Sequence, residues 1–599
     1  MSSGTFTEDQ LVEQPAIELL DDLGWDTVNA YAELLGPDGT LGRDNHGEIY
    51  LLRHLVQALQ RLNPGLPTEA LDAAIVELTK PRSVLDSIRA NREVYELLRN
   101  GVPVQVRNED GSQSPERVQL IDWRNPGNND FLLVSQFRVS GDIYNRRADL
   151  VGFVNGIPLV FIELKASHKK LEDAYTGNLR DYRETIPALF VPNAFIILSN
   201  GSQSKIGTVS SQWEHFAEWK KIDEESEPGV VSLETMLRGT CDPSRLLDIV
   251  ENFIAFTEQP RGLIKMLARN HQYLGVNNAI DRLLNIRTRP DGPGRLGVFW
   301  HTQGSGKTLS MLFFSQKVLR TVPGNWTFVI VTDRTDLDDQ AYESFADAGV
   351  LTEGHVQATS GQNLQQLLSE DHRYVFTLIQ KFRADQGQTY PVLSARSDIV
   401  VITDEAHRSQ YDTLALNMRN ALPNASFLGF TGTPLIVGEE KTREVFGDYV
   451  SVYDFGDSIR DGSTVPLYYE NRIPELQINN PDFDDELEAL LDGADLDDAQ
   501  ERKLARLFGQ QYQLITREER LDRIAVDLVD HFLGRGFAGK AMVISIDKAT
   551  AVRMYDKVHA MWQRRLNEAR AAGDTDLADY MASTGMAVVV SQAQNEVDV

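Results

Sequence analysis

One stretch limits what this chain can fold into more than any other: Trp300-His301-Thr302-Gln303-Gly304-Ser305-Gly306-Lys307-Thr308. Before it, Leu296-Gly297-Val298-Phe299-Trp300 reads as a short buried strand, and after it the apolar residues of 309–319 follow helical spacing. Strand, glycine-rich turn and helix in that order make a cradle for phosphate. Successive backbone N–H groups of the turn converge at the helix N-terminus, where the helix dipole favours an anion. In this reading Gln303, Gly304, Ser305 and Gly306 line the cradle, Lys307 reaches the β- and γ-phosphates of a nucleotide, and the Thr308 hydroxyl holds Mg²⁺. The usual pattern opens on glycine; His301 stands in that place here.

Three further apolar runs, 326–331, 374–379 and 398–403, alternate with helical stretches, the pattern of a parallel sheet covered on both faces. The last delivers Asp404-Glu405-Ala406-His407 at its C-terminal end, where such sheets carry their ligands. Asp404 can then hold Mg²⁺ through its water shell, and Glu405 can polarise the water that attacks a γ-phosphate. Four residues recur by chance, but these follow a buried strand and precede Leu428-Gly429-Phe430-Thr431-Gly432-Thr433-Pro434.

A second constellation lies upstream. Residues 148–154 and 157–165 flank Asn155-Gly156, a strong hairpin signal. Glu163 and Lys165 are two apart on the second strand and share a face. The face that Asp149 takes depends on the turn. A two-residue loop turns it away from Glu163, whereas a three-residue loop, Val154-Asn155-Gly156, with Gly156 left-handed in a bulge, sets it diagonally across on the same face. The odd-length loop is the expectation. Two carboxylates converging on one sheet face suit a hard cation such as Mg²⁺ with water in its open positions. A neighbouring lysine can position or help deprotonate a bound water and offset charge on a phosphorane-like transition state, which is the chemistry of phosphodiester hydrolysis. An ordinary surface pair of Glu163 with Lys165 would use the same residues. Against it stands the apolar strand they interrupt, because buried charges are costly unless paired or bound to metal. Glu13, beside a helix that starts at Pro15, is a further acidic candidate near such a site.

Asp149 with Glu163-Leu164-Lys165, followed by Asp173-Ala174-Tyr175 and Asn178-Leu179-Arg180-Asp181-Tyr182, resembles the nuclease domain of the R (restriction and motor) subunits of type I restriction-modification enzymes. That family carries a PD-(D/E)-x-K core and, one helix on, a Gln-x-x-x-Tyr motif. The resemblance implies a catalytic role for Tyr182 beside Asp149, Glu163 and Lys165; Asn178 stands where the family has glutamine and keeps an amide. His271-Gln272-Tyr273 resembles the family's adenine-recognising motif, which makes Gln272 the expected adenine contact. The ordered set of glutamine motif, phosphate loop, Asp-Glu-Ala-His and Thr-Gly-Thr-Pro resembles superfamily 2 helicases and DNA translocases, and a histidine at the first loop position is close to the R-subunit version. By the same resemblance, His407 couples nucleotide state to the rest of the domain, and Thr431 and Thr433 link it to movement along DNA.

The expected architecture is α/β: a PD-(D/E)xK nuclease domain over 1–255, a RecA-like superfamily 2 motor domain over 256–460 that binds ATP, and part of a second RecA-like domain over 461–599, with strands at 539–545 and 586–591. The resemblance implies ATP and Mg²⁺ as cofactors, with Mg²⁺ on Asp149 and Glu163 in one site and on Thr308 and Asp404 in the other. It implies double-stranded DNA as substrate and the methyltransferase (M) and specificity (S) subunits as partners. No Gln-x-x-Gly-Arg-x-x-Arg segment, which in the family supplies an arginine to the γ-phosphate, occurs in the sequence, so a chain ending inside the second motor domain is expected.

Charge narrows the means of binding DNA. With 88 acidic against 59 basic residues and a formal charge of -29, the surface repels nucleic acid on average, so contact needs local basic clefts or a partner. The acidic connection over 223–229 reads as a surface loop without a ligand. A single cysteine, Cys241, excludes an intrachain disulfide and a cysteine-rich zinc site, and fits a reducing cytoplasm. No apolar run approaches the ~20 residues of a membrane span. Two other classes stay open: a stand-alone helicase-nuclease of DNA repair, and an ATP-gated DNA-binding module without catalysis. Intact Lys307, Glu405, Glu163 and Lys165 speak against the second, and capture of methyltransferase and specificity subunits separates the first.

Overall fold

The computed structural model describes residues 12–82, 84–107, 110–141, 143–287, 294–383, 390–404, 411–434, 440–472, 512, 515–536 and 539–590. Two compact units emerge, residues 1–466 and 467–599. In the first, β1 (Asp26–Asn29) pairs in parallel with the fourth strand, and β2 (Val102–Arg107) and β3 (Gln113–Val118) form a separate hairpin. Strands β4 (Phe131–Ser140), β5 (Asn145–Val154) and β6 (Ile157–Leu164) run antiparallel, then β7 (Phe195–Ser199) adds in parallel and β8 (Ser204–Gly207) closes the edge, giving the order β1-β4-β5-β6-β7-β8. Every residue of β6 is buried, because the sheet is covered on both faces, and that is why its sequence, Glu163 apart, is apolar without alternation.

The turn between β5 and β6 corrects the sequence expectation. It has two residues: Asn155 (φ 52°) and Gly156 (φ 77°) are both left-handed, as the hairpin twist requires, and Val154 pairs with Ile157. The extra residue sits farther along. Phe153 pairs with Pro158 but Gly152 with Val160, so Leu159 bulges out, its carbonyl accepting from the Ala194 amide at 2.7 Å and from Asn193 Nδ2 at 3.1 Å. Beyond this bulge Leu150 pairs with Ile162, and the register carries Asp149 directly opposite Glu163. The shared face was expected; the loop length and the diagonal offset were not correct, because the inserted residue that restores the face is inside the strand. The turn itself is buried. A Cβ on Gly156 would lie 2.4 Å from the Leu51 carbonyl oxygen, at the start of the helix Leu52–Leu62.

After a hairpin of β9 (Ile254–Gln259) and β10 (Gly262–Leu267), the helix Asn270–Arg287 leads into a second sheet. Its strands β11 (Arg295–His301), β12 (Thr327–Thr332), β13 (Tyr374–Leu378), β14 (Ile399–Thr403), β15 (Ser426–Thr431) and β16 (Tyr449–Tyr453) are all parallel, in the order β13-β12-β14-β15-β11-β16. The core is continuous across position 255: Phe253 packs on Tyr273 at 4.8 Å and on Phe313 at 5.6 Å between ring centroids.

The second unit is helical among its described residues, with helices Glu518–Gly534, Lys548–Ala572 and Thr575–Ser583 closed over Val529, Trp562, Leu566 and Met581. The strands expected at 539–545 and 586–591 are not there: residues 539–545 and 584–590 are irregular, and Met542, Ile544 and Val589 are exposed. A parallel strand is held only by its neighbours, and the described residues of this unit offer none to pair with. The acidic stretch over 481–501 lies outside the described residues.

Candidate nuclease and nucleotide sites

On the face shared by β5 and β6, the Glu163 carboxyl is wholly buried. Its Oε1 accepts from Lys165 Nζ at 2.9 Å and from Asn178 Nδ2, while Oε2 is buried with no hydrogen-bond partner. Burial foremost, then the charge of Asp149, pushes the Glu163 carboxyl up to about 8, against the pull of Lys165 and the hydrogen bonds. Asp149 accepts from the Leu164 amide at 2.9 Å. An orphaned carboxylate oxygen on Glu163, with the second carboxylate of Asp149 opposite it in the register, is a charge arrangement that a divalent cation relieves, so these residues fit Mg²⁺. Among the described residues no group of three or more His, Cys, Asp or Glu is arranged for a metal, so two carboxylates would leave most positions of such an ion to water.

Asn178 and Tyr182 lie one helical turn apart on a segment that begins as a π-helix, Ala174–Leu179, and continues as the α-helix Arg180–Thr185. Both face the carboxylates. The Tyr182 hydroxyl donates to the Arg147 carbonyl at 2.9 Å, its ring packs edge-on against Phe161 at 5.7 Å, and burial followed by Glu163 and Asp149 raises its ionisation out of the physiological range. Across β4, Gln136 occupies the position facing Asp149, between the pairs Ser135–Leu150 and Phe137–Ala148, and is left-handed at φ 58°. That strained backbone, costing on the order of 1 kcal/mol, aims its amide at Glu13, whose two carboxylate oxygens accept from Nε2 at 3.0 Å each. Glu13 thus stands buried at the same face.

In the second sheet, Gly304 (φ 82°) and Gly306 (φ 86°) are left-handed and Lys307 opens the helix Lys307–Thr321. Gln303, Gly304 and Gly306 are exposed at the turn, Ser305 is buried with an unpartnered hydroxyl, and Lys307 and Thr308 are half-buried. A Cβ on Gly432 would lie 3.3 Å from Lys307 Nζ, so the Thr-Gly-Thr-Pro turn after β15 abuts the phosphate loop. Asp404 follows β14 directly, its amide donating to the Val331 carbonyl at 2.9 Å. Glu405 and His407 lie outside the described residues. Thr431 Oγ1 donates to the Thr433 carbonyl at 3.0 Å, locking that turn.

Gln272 sits against the loop. Its Nε2 donates to the carbonyls of Ser305 at 3.2 Å and Gly306 at 3.1 Å, and its Oε1 accepts from the Arg269 amide at 2.9 Å. With both N–H donors engaged, only the second lone pair of Oε1 remains to meet an adenine amino group. His301 is fully buried at the end of β11. Its Nε2 lies 2.6 Å from Ser451 Oγ on β16, and burial, then His271 and Lys307, holds the imidazole neutral, well below its usual range.

Sequence reasoning missed Ser451 and Glu225. Glu225 belongs to the acidic connection expected to be a plain surface loop, yet its carboxylate accepts from Ser451 Oγ and, at 2.8 Å, from the Val452 amide. Neither residue carries a local signal, since they are joined only by the packing of the connection onto the sheet edge. Helix glycine Gly275 held the one readable clue: a Cβ there would come within 2.4 Å of Ser451 Oγ.

Residues 5–215 match the family model of the type I restriction enzyme R protein N terminus, and residues 271–502 that of the SWI2/SNF2 ATPase. The chain is 35% identical over 577 residues to the type I restriction enzyme HindI endonuclease subunit of Haemophilus influenzae, covering 92% of this chain and 54% of that one. It is 32% identical over 578 residues to a type I restriction enzyme endonuclease subunit of Methanocaldococcus jannaschii, with the same two shares, 92% and 54%. This chain spans about half the length of these curated relatives.

Proposed function

This chain belongs to the endonuclease (R) subunits of type I restriction enzymes, and from that premise we propose that it serves ATP-dependent translocation of double-stranded DNA coupled to Mg²⁺-dependent endonucleolytic cleavage. In this reading residues 1–255 are the nuclease, 256–460 the first RecA-like motor domain, and 461–599 part of a second. The observation that carries it is Asp149 opposite Glu163 with an unpartnered carboxylate oxygen, in one chain with a parallel-sheet phosphate loop.

Asp149 and Glu163 would hold Mg²⁺ at the nuclease face, and Thr308 with Asp404 in the motor. The ion supplies Lewis-acid stabilisation of phosphate charge and a more acidic water when bound. The remaining work falls to this chain's own residues. Lys165 Nζ, 2.9 Å from Glu163 Oε1, is set to orient the attacking water and to offset charge on the scissile phosphate. Asn178 fixes Glu163 Oε1, and Tyr182 anchors the covering helix to β5 through the Arg147 carbonyl. In the motor, Gln303 to Gly306 present backbone N–H groups to phosphate, Lys307 neutralises the β- and γ-phosphates, and Glu405 orients the hydrolytic water. Gln272 contacts adenine through Oε1, His407 couples nucleotide state to the domain, and Thr431 and Thr433 pass it on towards DNA. Partners in this reading are double-stranded DNA and the methyltransferase and specificity subunits, which carry sequence recognition.

A plasmid cleavage assay with those two subunits, with and without ATP, tests the reading. Glu163→Ala is expected to lose cutting and keep ATP hydrolysis, and Lys307→Ala to lose both. Cutting by the chain without either partner would move the reading to a stand-alone helicase-nuclease.

A further inference from the structure

The connection at 220–231 closes onto β16, the edge strand of the motor sheet, and one carboxylate makes the joint. Glu225 Oε2 accepts from the Val452 amide at 2.8 Å, capping an edge N–H that no strand pairs, and Oε1 accepts from Ser451 Oγ. A serine has one proton. With that proton on Glu225, Ser451 Oγ can only accept from His301 Nε2, 2.6 Å away. His301 is therefore held as the neutral tautomer with hydrogen on Nε2. Its Nδ1, buried and without a hydrogen-bond partner, is left bare beside the turn that Thr302 begins, whose own amide donates to the Tyr453 carbonyl at 3.1 Å. The alternative tautomer would set two lone pairs, of Ser451 Oγ and of Nε2, against each other in a buried space. Gly275 belongs to the same joint, since any side chain on it would displace the Ser451 hydroxyl.

We propose that Glu225 is a positioning residue for the phosphate loop: through Ser451 it fixes the tautomer and orientation of His301, and so ties the connection that follows the nuclease sheet to the first residue of the nucleotide cradle. The proposal rests on the reading of residues 301–308 as the nucleotide loop, but the tautomer it requires exists without nucleotide.

The experiment uses the whole chain with ¹⁵N-labelled histidine. Nuclear magnetic resonance of the imidazole nitrogens reads the His301 tautomer, assigned by its loss in His301→Asn, and a fluorescent ATP analogue with Mg²⁺ reads affinity. The wild-type protein is expected to show the Nε2–H form at His301. Ser451→Ala, which removes one oxygen, and Glu225→Gln, which keeps the shape but brings an amide donor to one of the two oxygens, are each expected to mix the tautomers and weaken the analogue roughly tenfold. Glu225→Asp, which retains the charge, should restore part of both. A His301 signal and an affinity within about twofold of wild type in both Ser451→Ala and Glu225→Gln would overturn the proposal, and so would an Nδ1–H form in the wild-type protein. If the wild-type chain bound no nucleotide, the loop reading would fall while the tautomer measurement still decided the relay.

Discussion

The proposed nuclease face gathers Asp149, Glu163 and Lys165 from two adjacent strands joined by a two-residue turn, whereas the proposed nucleotide site draws Lys307, Asp404 and Thr431 from the ends of β11, β14 and β15 or just beyond them. The first site is inside a sheet and the second at its rim. Placing carboxylates inside a sheet buries them, and the effect is visible in Glu163, whose carboxyl is pushed up to about 8 by burial and by Asp149. At the rim, strand ends and a glycine turn supply backbone N–H groups, so in the proposed reading the loop would bind charge through dipoles and Lys307. The antiparallel site depends on register, which one inserted residue changes; the parallel site depends on topology, which no single residue changes.

A substitution confined to one site is expected to leave ligand binding at the other unchanged. Asp149→Asn is expected to lower DNA cleavage by at least roughly a hundredfold while binding of an ATP analogue stays unchanged. Gly306→Ala should do the converse, because a Cβ there meets Gln272 Nε2 at 2.6 Å and φ is 86°; it should abolish analogue binding and leave cation binding at Glu163 intact. Loss of analogue binding in Asp149→Asn, or of cation binding at Glu163 in Gly306→Ala, would mean that the sites share one scaffold energy.

Register comes next. Gly156→Ala forces a side chain into a left-handed position 2.4 Å from the Leu51 carbonyl oxygen. A loss of roughly 2 to 4 kcal/mol in chemical denaturation is expected. No loss would show that the turn does not fix the pairing of β5 with β6.

A smaller effect should follow from Asn178→Ala, which removes the amide donor from Glu163 Oε1. Cleavage is expected to fall about tenfold, with nucleotide binding untouched. Asn178→Gln, the residue the family has there, distinguishes a positional requirement from the amide itself.

The smallest effect is a pH slope. Glu163 is raised from 4.5 when unfolded to about 8 when folded, so in metal-free protein the folded state holds this proton more tightly. The stability it contributes is fully present below 4.5 and is lost as pH rises through about 8. Melting temperatures measured in chelator should therefore decline by a few degrees over that window, Mg²⁺ should restore them at the alkaline end, and Glu163→Gln should flatten the slope. A slope unchanged in Glu163→Gln would assign it to other groups.

Much of both sites was legible because their signals are local. Gly304, Gly306 and Lys307 announce a loop within a few residues, and 398–403 announce a buried strand ending at Asp404. Glu163 and Lys165 betray their shared face by interrupting an apolar strand. The bulge at Leu159 was not legible, since Ile157 to Ile162 is apolar throughout and nothing in such a run marks which residue drops out of the ladder. Strands expected at 539–545 and 586–591 failed for a related reason: apolar β-branched runs have strand propensity, but pairing decides.

The sequence alone placed the residues proposed for the two chemistries on their strands and turn, because glycine torsions, strand periodicity and the cost of burying charge act within a few residues. Tertiary structure alone decided the pairing of Asp149 with Glu163, the approach of Gly432 to Lys307, and the hold of Glu225 on Ser451 and His301. Those contacts join residues far apart in the chain, and the hydrogen-bond partner of a buried group is chosen by which surfaces pack together, a property that no local run of residues encodes.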